Sequence, residues 1–163
     1  MLDDIKEIKK LRRAKFFNIL IAESCTGGML SSKLTSISGS SDFFEGSVVS
    51  YSNYLKCRIL NVPKSIINKY GAVSHQTALH MVKGLSKISK SEILISVTGV
   101  AGPNGGNPKT PIGCVYFGIG IKIKNKYNFK TMKRIFKEKT RNKIQIKSTK
   151  FALKEIIKQI KNL

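Results

Sequence analysis

The chain has 163 residues, and its 30 Lys and Arg against 9 Asp and Glu give a net charge of +21. This length is typical of one domain with its own hydrophobic core, and no shift in composition suggests a second domain. The apolar runs are too short to span a membrane and the N-terminus has no signal-peptide core. We therefore expect one cytoplasmic domain over residues 1–163 that does not contact membranes.

The large positive charge has two explanations. Of the basic residues 25 are lysine and 5 are arginine, in a chain also rich in Ile and Asn. A genome rich in adenine and thymine produces this composition through its codons, and arginine, which binds bases and phosphates better, is scarce. We interpret the charge as compositional, with nucleic-acid binding as the alternative.

The sequence predicts no metal or other cofactor. Three cysteines without paired spacing, Cys25, Cys57 and Cys114, indicate reduced thiols rather than disulfides or a zinc site. His75 and His80 are five residues apart on a predicted helix and so lie on different faces of it. We expect a helix cap and a surface residue there rather than metal ligands.

Helices and strands alternate in the first half of the chain. Leu2, Ile5, Ile8 and Leu11 predict a one-faced amphipathic helix over 2–13. The following elements are predicted from apolar runs and cap residues: a strand over 19–23, a helix over about 27–37, a strand over 46–51, a helix from Ser52-Asn53 through Leu60, a helix over 63–69 closed by Gly71, and a helix from Ser74 to about Lys90.

The second half begins with a nearly continuous apolar strand over 92–98, which is typical of a sheet centre. A loop rich in glycine and proline follows, over 99–108. Strands over 112–122 and about 127–136 should pair as an antiparallel hairpin, and a helix from about Thr140 to Lys161 ends the chain. This order predicts an α/β fold, a three-layer α/β/α sandwich with a mixed sheet.

The turn after the first strand is the first candidate site. Ser24 lies between a strand and a helix start, where its hydroxyl can act as a nucleophile and the backbone N–H groups of Thr26, Gly27 and Gly28 can bind an oxyanion. Alternatively, Ser24 or Thr26 is only the helix N-cap. Cys25 is a rival nucleophile.

A base for Ser24 is expected at the same edge of the sheet, because ligands of open α/β sheets bind at the carboxyl ends of the strands. No Ser/His/Asp arrangement is available, so Lys56 is the candidate base, acting directly or through Tyr51. Its amine must be partly neutral, and burial among other cations would lower its pKa in this direction. The alternative places Lys56 on the surface and Tyr51 at the edge of the core.

Five motifs, in order across residues 15–160, resemble the CinA C-terminal domain family. They are Ala22-Glu23-Ser24-Cys25-Thr26-Gly27-Gly28, Gly39-Ser40-Ser41, Tyr51-Ser52-Asn53 with Lys56, Gly71-Ala72-Val73-Ser74, and Gly99-Val100-Ala101-Gly102-Pro103-Asn104-Gly105-Gly106. The order of the five makes the resemblance specific, although each motif alone is not.

The resemblance implies hydrolysis of nicotinamide mononucleotide to nicotinate mononucleotide and ammonia, a step of pyridine-nucleotide recycling. It implies catalysis by Ser24 with support from Lys56 and Tyr51. The substrate contacts expected are the residues around the glycine-rich loop and an arginine near the last helix: Thr98, Gly99, Ala101, Gly102, Asn104, Gly105 and Arg141.

The chain departs from the family pattern near Arg141. The usual Phe-x-Gly-x-Arg is replaced by the segment 136–141, which is one residue longer and lacks the glycine, and Gln145 stands where a second arginine is often found. Two alternatives follow: an inactive basic module of the same fold that binds nucleotides or nucleic acid, and a purely structural subunit of an oligomer. The expected partner is a small nucleotide substrate, and a homo-oligomer is compatible with the sequence.

Overall fold

The computed structural model describes residues 1–163 and contains every predicted helix and strand. The elements are α1 Leu2–Ala14, β1 Ile19–Glu23, α2 Met29–Leu34, a short 3-10 helix Ser40–Asp42, β2 Phe44–Val49, α3 Asn53–Leu60, α4 Lys64–Tyr70, α5 His75–Ile88, β3 Ile93–Gly99, β4 Cys114–Ile123, β5 Lys126–Ile135 and α6 Arg141–Lys161. The 3-10 helix was not predicted. None of the six α-helices has the length and hydropathy needed to cross a bilayer.

The five strands form one mixed sheet in the order β2-β1-β3-β4-β5. Strand β1 is parallel to β2 and β3, whereas β4 is antiparallel to both of its neighbours. The prediction that the apolar strand β3 lies at the centre is confirmed. Glu23, the last residue of β1, pairs with Val49 of β2 and Val97 of β3, so the carboxyl ends of the three parallel strands lie side by side.

Helices cover both faces of the sheet, which confirms the three-layer α/β/α sandwich. Alternate residues of β1 point to opposite faces. Ile19 and Ile21 belong to a core of 23 buried residues shared with α1, α2 and α6. Leu20 and Ala22 belong to a smaller core of 9 buried residues with α3, α4 and α5.

The contact between α5 and the end of α3 is tight enough to require glycine. A Cβ placed on Gly84 would lie 2.1 Å from the carbonyl oxygen of Leu60, which is backbone and cannot rotate away. Gly84→Ala should therefore lower the free energy of unfolding by about 3 kcal/mol, more than the roughly 1 kcal/mol that alanine gains in a helix. Urea unfolding measures this change.

Ser86→Ala is the matched control for Gly84→Ala. Ser86 lies on the same helix and is only partly buried, and its hydroxyl donates to the carbonyl of Lys83 within the helix. Its unfolding free energy should change by less than about 0.5 kcal/mol. Equal stability of Gly84→Ala and the wild type would contradict the close α3–α5 contact.

Candidate active site

The turn from Glu23 to Gly28 is organised by a buried carboxylate. The Glu23 side chain is fully buried and accepts hydrogen bonds from the backbone N–H groups of Gly28, Leu30 and Ser31, at 3.1, 3.1 and 2.8 Å. The Ser31 hydroxyl adds a fourth bond of 2.7 Å. Because a carboxylate is favourable at a helix N-terminus, Glu23 caps α2 from the preceding strand.

The interpretation of Ser24 or Thr26 as the helix N-cap is therefore wrong. The N-cap residue of α2 is Gly28, in the left-handed region with φ of 94°, and no side chain at that position caps the helix. The sequence analysis did not predict that Glu23 caps α2, although an acidic residue between an apolar strand and a helix start is a signal for such a cap. The Ser24 hydroxyl is left available for a different partner.

That partner is Lys56, one turn into α3. The helix begins as predicted, with the Ser52 hydroxyl accepting from the N–H of Leu55 at 3.1 Å. The Lys56 side chain is only 1% exposed, and its Nζ lies 2.9 Å from Ser24 Oγ. The alternative of a surface lysine is therefore wrong.

The amine of Lys56 has two further contacts, with the carbonyl oxygens of Ser50 at 2.9 Å and Tyr51 at 3.1 Å. No carboxylate forms an ion pair with it. Burial is the main cause that lowers the pKa of Lys56 below its ordinary value. A neutral amine can donate to both carbonyls and accept the hydrogen of the Ser24 hydroxyl with its lone pair.

The prediction that the N–H groups of Gly27 and Gly28 bind an oxyanion is wrong. The N–H of Gly27 donates to the carbonyl of Ser24 at 3.0 Å, and the N–H of Gly28 donates to Glu23, so neither is available to a ligand. The N–H groups of Cys25 and Thr26 have no acceptor in the chain. The available donors therefore begin directly after Ser24, and of the three predicted residues only Thr26 keeps a free N–H.

A cavity of about 280 Å³ opens over Ser24 at the carboxyl edge of the sheet. It brings together ten of the predicted site residues: Ser24, Tyr51, Lys56, Thr98, Gly99, Ala101, Gly102, Asn104, Gly105 and Arg141. Thr26, Gly27 and Gly28 do not line it. Cys25, the predicted rival nucleophile, also lines it, as do four residues that were not predicted, namely Asn53, Ala72, Val73 and Val100. All five lie inside the motifs of the sequence analysis.

Arg141 closes one side of this cavity. Its guanidinium donates to the carbonyl of Gly102 at 2.8 Å and to the hydroxyl of Tyr51. Thr140 caps α6 by accepting from Lys143, so the altered segment before Arg141 still delivers the arginine to the cavity. The Tyr51 hydroxyl thus contacts Arg141, and the contact between Ser24 and Lys56 is direct.

Cys25 has the wrong environment for a nucleophile. Its side chain is buried, and burial is the largest cause that raises the pKa of the Cys25 thiol to about 12. A thiol with this pKa stays protonated at neutral pH, and the thiolate is the reactive form. Ser24 is the stronger candidate of the two neighbours.

Fold and site together define an open α/β domain with a buried serine–lysine pair at the carboxyl edge of its sheet. Residues 3–160 match the CinA C-terminal domain. The chain belongs to this family, as its motifs indicated.

Curated relatives carry the same family name. A CinA-like protein of Pseudothermotoga lettingae is 42% identical over 154 residues, covering 94% of this chain and 37% of the relative. A CinA-like protein of Dictyoglomus thermophilum is 44% identical over 149 residues, covering 91% of this chain and 35% of the relative. The chain spans about a third of the length of these relatives.

Solved structures share the fold. The competence/damage inducible protein CihA of Agrobacterium tumefaciens is 31% identical, with a TM-score of 0.89 over 96% of this chain and 93% of its own. A CinA superfamily protein of Escherichia coli is 27% identical, with a TM-score of 0.84 over 96% of this chain and 89% of its own.

Proposed function

We propose that this chain is an amidase that hydrolyses nicotinamide mononucleotide to nicotinate mononucleotide and ammonia through an acyl-enzyme on Ser24. The observation that carries the proposal is the 2.9 Å contact between Ser24 Oγ and Lys56 Nζ in the cavity. An exposed lysine could not serve, because it would be protonated at neutral pH. Family membership and the resemblance of the motifs support the choice of substrate.

The reaction needs only groups already described. Ser24 Oγ attacks the carboxamide carbon while its proton passes to Lys56 Nζ, and the free N–H groups after Ser24 bind the oxyanion. The tetrahedral intermediate collapses as Lys56 returns the proton to the nitrogen, which leaves as ammonia. Lys56 then deprotonates a water molecule that attacks the acyl-enzyme, releasing the carboxylate product and the serine.

The lining of the cavity fits an anionic substrate. Arg141 supplies a positive charge beside the neutral amine of Lys56, and no Asp or Glu lines the cavity. We assign Arg141 to the phosphate, since a guanidinium matches the geometry of phosphate oxygens. The glycine-rich loop, with Thr98, Gly99, Ala101, Gly102, Asn104 and Gly105, would enclose the rest of the nucleotide.

Ammonia release from nicotinamide mononucleotide tests this proposal, with the nucleotide product measured in parallel by chromatography. We expect equal amounts of ammonia and nicotinate mononucleotide. Nicotinamide riboside lacks the phosphate, and we expect its kcat/KM to be at least about tenfold lower, the loss of one charge-assisted contact.

A chain that releases ammonia from neither compound would contradict the proposal. The alternative of a basic binding module would then predict DNA binding whose affinity falls steeply with salt concentration. Fluorescence anisotropy with a DNA duplex at several salt concentrations measures this dependence.

A further inference from the structure

Gln145, in the second turn of α6, contacts the turn that carries Ser24. Its Nε2 donates a hydrogen bond of 2.9 Å to the carbonyl oxygen of Cys25. Gln145 is partly buried and does not line the cavity. Its role is therefore not explained by contact with a substrate.

The bond to Cys25 fixes the direction of one peptide group. The carbonyl of Cys25 and the N–H of Thr26 belong to the same planar trans unit, in which they point in opposite directions. A partner that holds the carbonyl towards α6 therefore holds the Thr26 N–H away from α6. This N–H has no acceptor in the chain.

The other peptide groups of the turn are already fixed by different partners. The N–H of Ser24 donates to the carbonyl of Val97 at 2.9 Å, and those of Gly27 and Gly28 donate to Ser24 and Glu23. The peptide between Cys25 and Thr26 is held by Gln145 alone. It is the second peptide group after Ser24 and lies next to the N–H of Cys25, which also has no acceptor in the chain. Two neighbouring free N–H groups beside the nucleophile can together bind an oxyanion on the Ser24 adduct.

We propose that Gln145 is a positioning residue, which orients the Cys25–Thr26 peptide so that the Thr26 N–H binds the oxyanion of the reaction at Ser24. This inference rests on the proposed function, which supplies the substrate. The formation of a tetrahedral adduct on Ser24, on which the role of Gln145 depends, can be tested without that substrate.

Gln145→Met keeps the length of the side chain and removes the donor. We expect kcat to fall by about tenfold or more, since losing one oxyanion donor entirely costs about 10²–10³, while KM changes by less than roughly threefold. The pH profile should be unchanged, because Lys56 keeps its contacts. Gln145→Arg, which keeps N–H donors, should retain more activity than Gln145→Met.

Asn142→Met is the matched control. Asn142 is an exposed amide on the same helix with no side-chain hydrogen bond, so its replacement should leave kcat unchanged. If Gln145→Met lowers the melting temperature and keeps the wild-type kcat, Gln145 is merely structural and the inference is wrong.

Binding of pyridine-3-boronic acid gives a readout without turnover. A bond forms between Ser24 Oγ and boron, the hydroxyl proton passes to Lys56 Nζ, and boron becomes a tetrahedral anion that mimics the intermediate. We expect the wild type to form this adduct, detected by ¹¹B NMR, and Gln145→Met to weaken it by about the factor by which kcat falls.

The two proposals fail differently in these experiments. A wild type that binds the boronate but releases no ammonia contradicts the proposed substrate, and weaker boronate binding by Gln145→Met then still supports the role of Gln145. Equal boronate affinity of Gln145→Met and the wild type, or no adduct on Ser24 in the wild type, overturns the inference.

Discussion

Lys56→Met is expected to lower kcat for ammonia release by about a thousandfold or more. Methionine fills a similar volume but cannot accept the Ser24 proton, and removal of a general base that also activates a nucleophile costs at least this much. Steady-state assays with nicotinamide mononucleotide measure the change. Lys64→Met, an exposed lysine on the next helix, should have wild-type activity.

The same residue should set the pH dependence of the wild type. Only neutral Lys56 can accept the proton of Ser24, so kcat/KM should fall as the pH drops through the lowered pKa of Lys56. The residual rate of Lys56→Met should not follow this titration. A wild-type rate that is constant across the acidic and neutral range would contradict the role of Lys56 as the base.

The burial of Lys56 also predicts a pH dependence of stability. Because the pKa of Lys56 is lower in the folded chain than in the unfolded chain, the unfolded state binds more protons between these two values. The free energy of unfolding therefore rises with pH in that window, by about 1.4 kcal/mol for each unit of pKa difference. Lys56→Met should lack this rise, which urea unfolding from neutral to alkaline pH would measure.

Ser24→Ala is the second change with a large expected effect. It removes the proposed nucleophile, and we expect kcat to fall by at least about a thousandfold with the fold retained. The fold should persist because the one hydrogen bond of the Ser24 side chain is with Lys56, whereas the backbone bond from Ser24 to Val97 does not depend on the side chain. Ammonia release and circular dichroism of the same preparation measure both properties.

Cys25→Ala separates Ser24 from its rival. Since the Cys25 thiol stays protonated, its loss should keep activity within about tenfold of the wild type. Full activity in Ser24→Ala combined with loss of activity in Cys25→Ala would assign the chemistry to the thiol and overturn the mechanism.

The elements of the fold could be predicted from sequence because they depend on local pattern. The stripe Ala78, Met81, Val82 and Leu85 is buried on α5 as predicted, and the apolar run of β3 lies at the sheet centre. The periodicity of apolar residues shows which face of a helix or strand is apolar. It can be read from a short stretch of the sequence, without knowledge of how the elements pack.

The site could be predicted only in part, because its contacts join distant segments. Motif positions predicted the residues of the cavity, including Ser24 and Lys56. The capping of α2 by Glu23, the use of the Gly27 and Gly28 amides, and the contact of Gln145 with Cys25 depend on how the elements pack. No local pattern contains that information, and the oxyanion donors were predicted too far along the turn for this reason.

Tyr51 contributes to the cavity through two separate groups. Its carbonyl oxygen accepts from Lys56, and its hydroxyl, on a side chain that is 56% exposed, accepts from Arg141. Any amino acid at this position supplies the carbonyl, whereas only the side chain reaches the arginine. In the proposed mechanism, a substitution at position 51 therefore changes the contact with Arg141, the proposed phosphate ligand, and keeps the main-chain contact with Lys56, the proposed base. Recognition and chemistry can then diverge independently at a single residue.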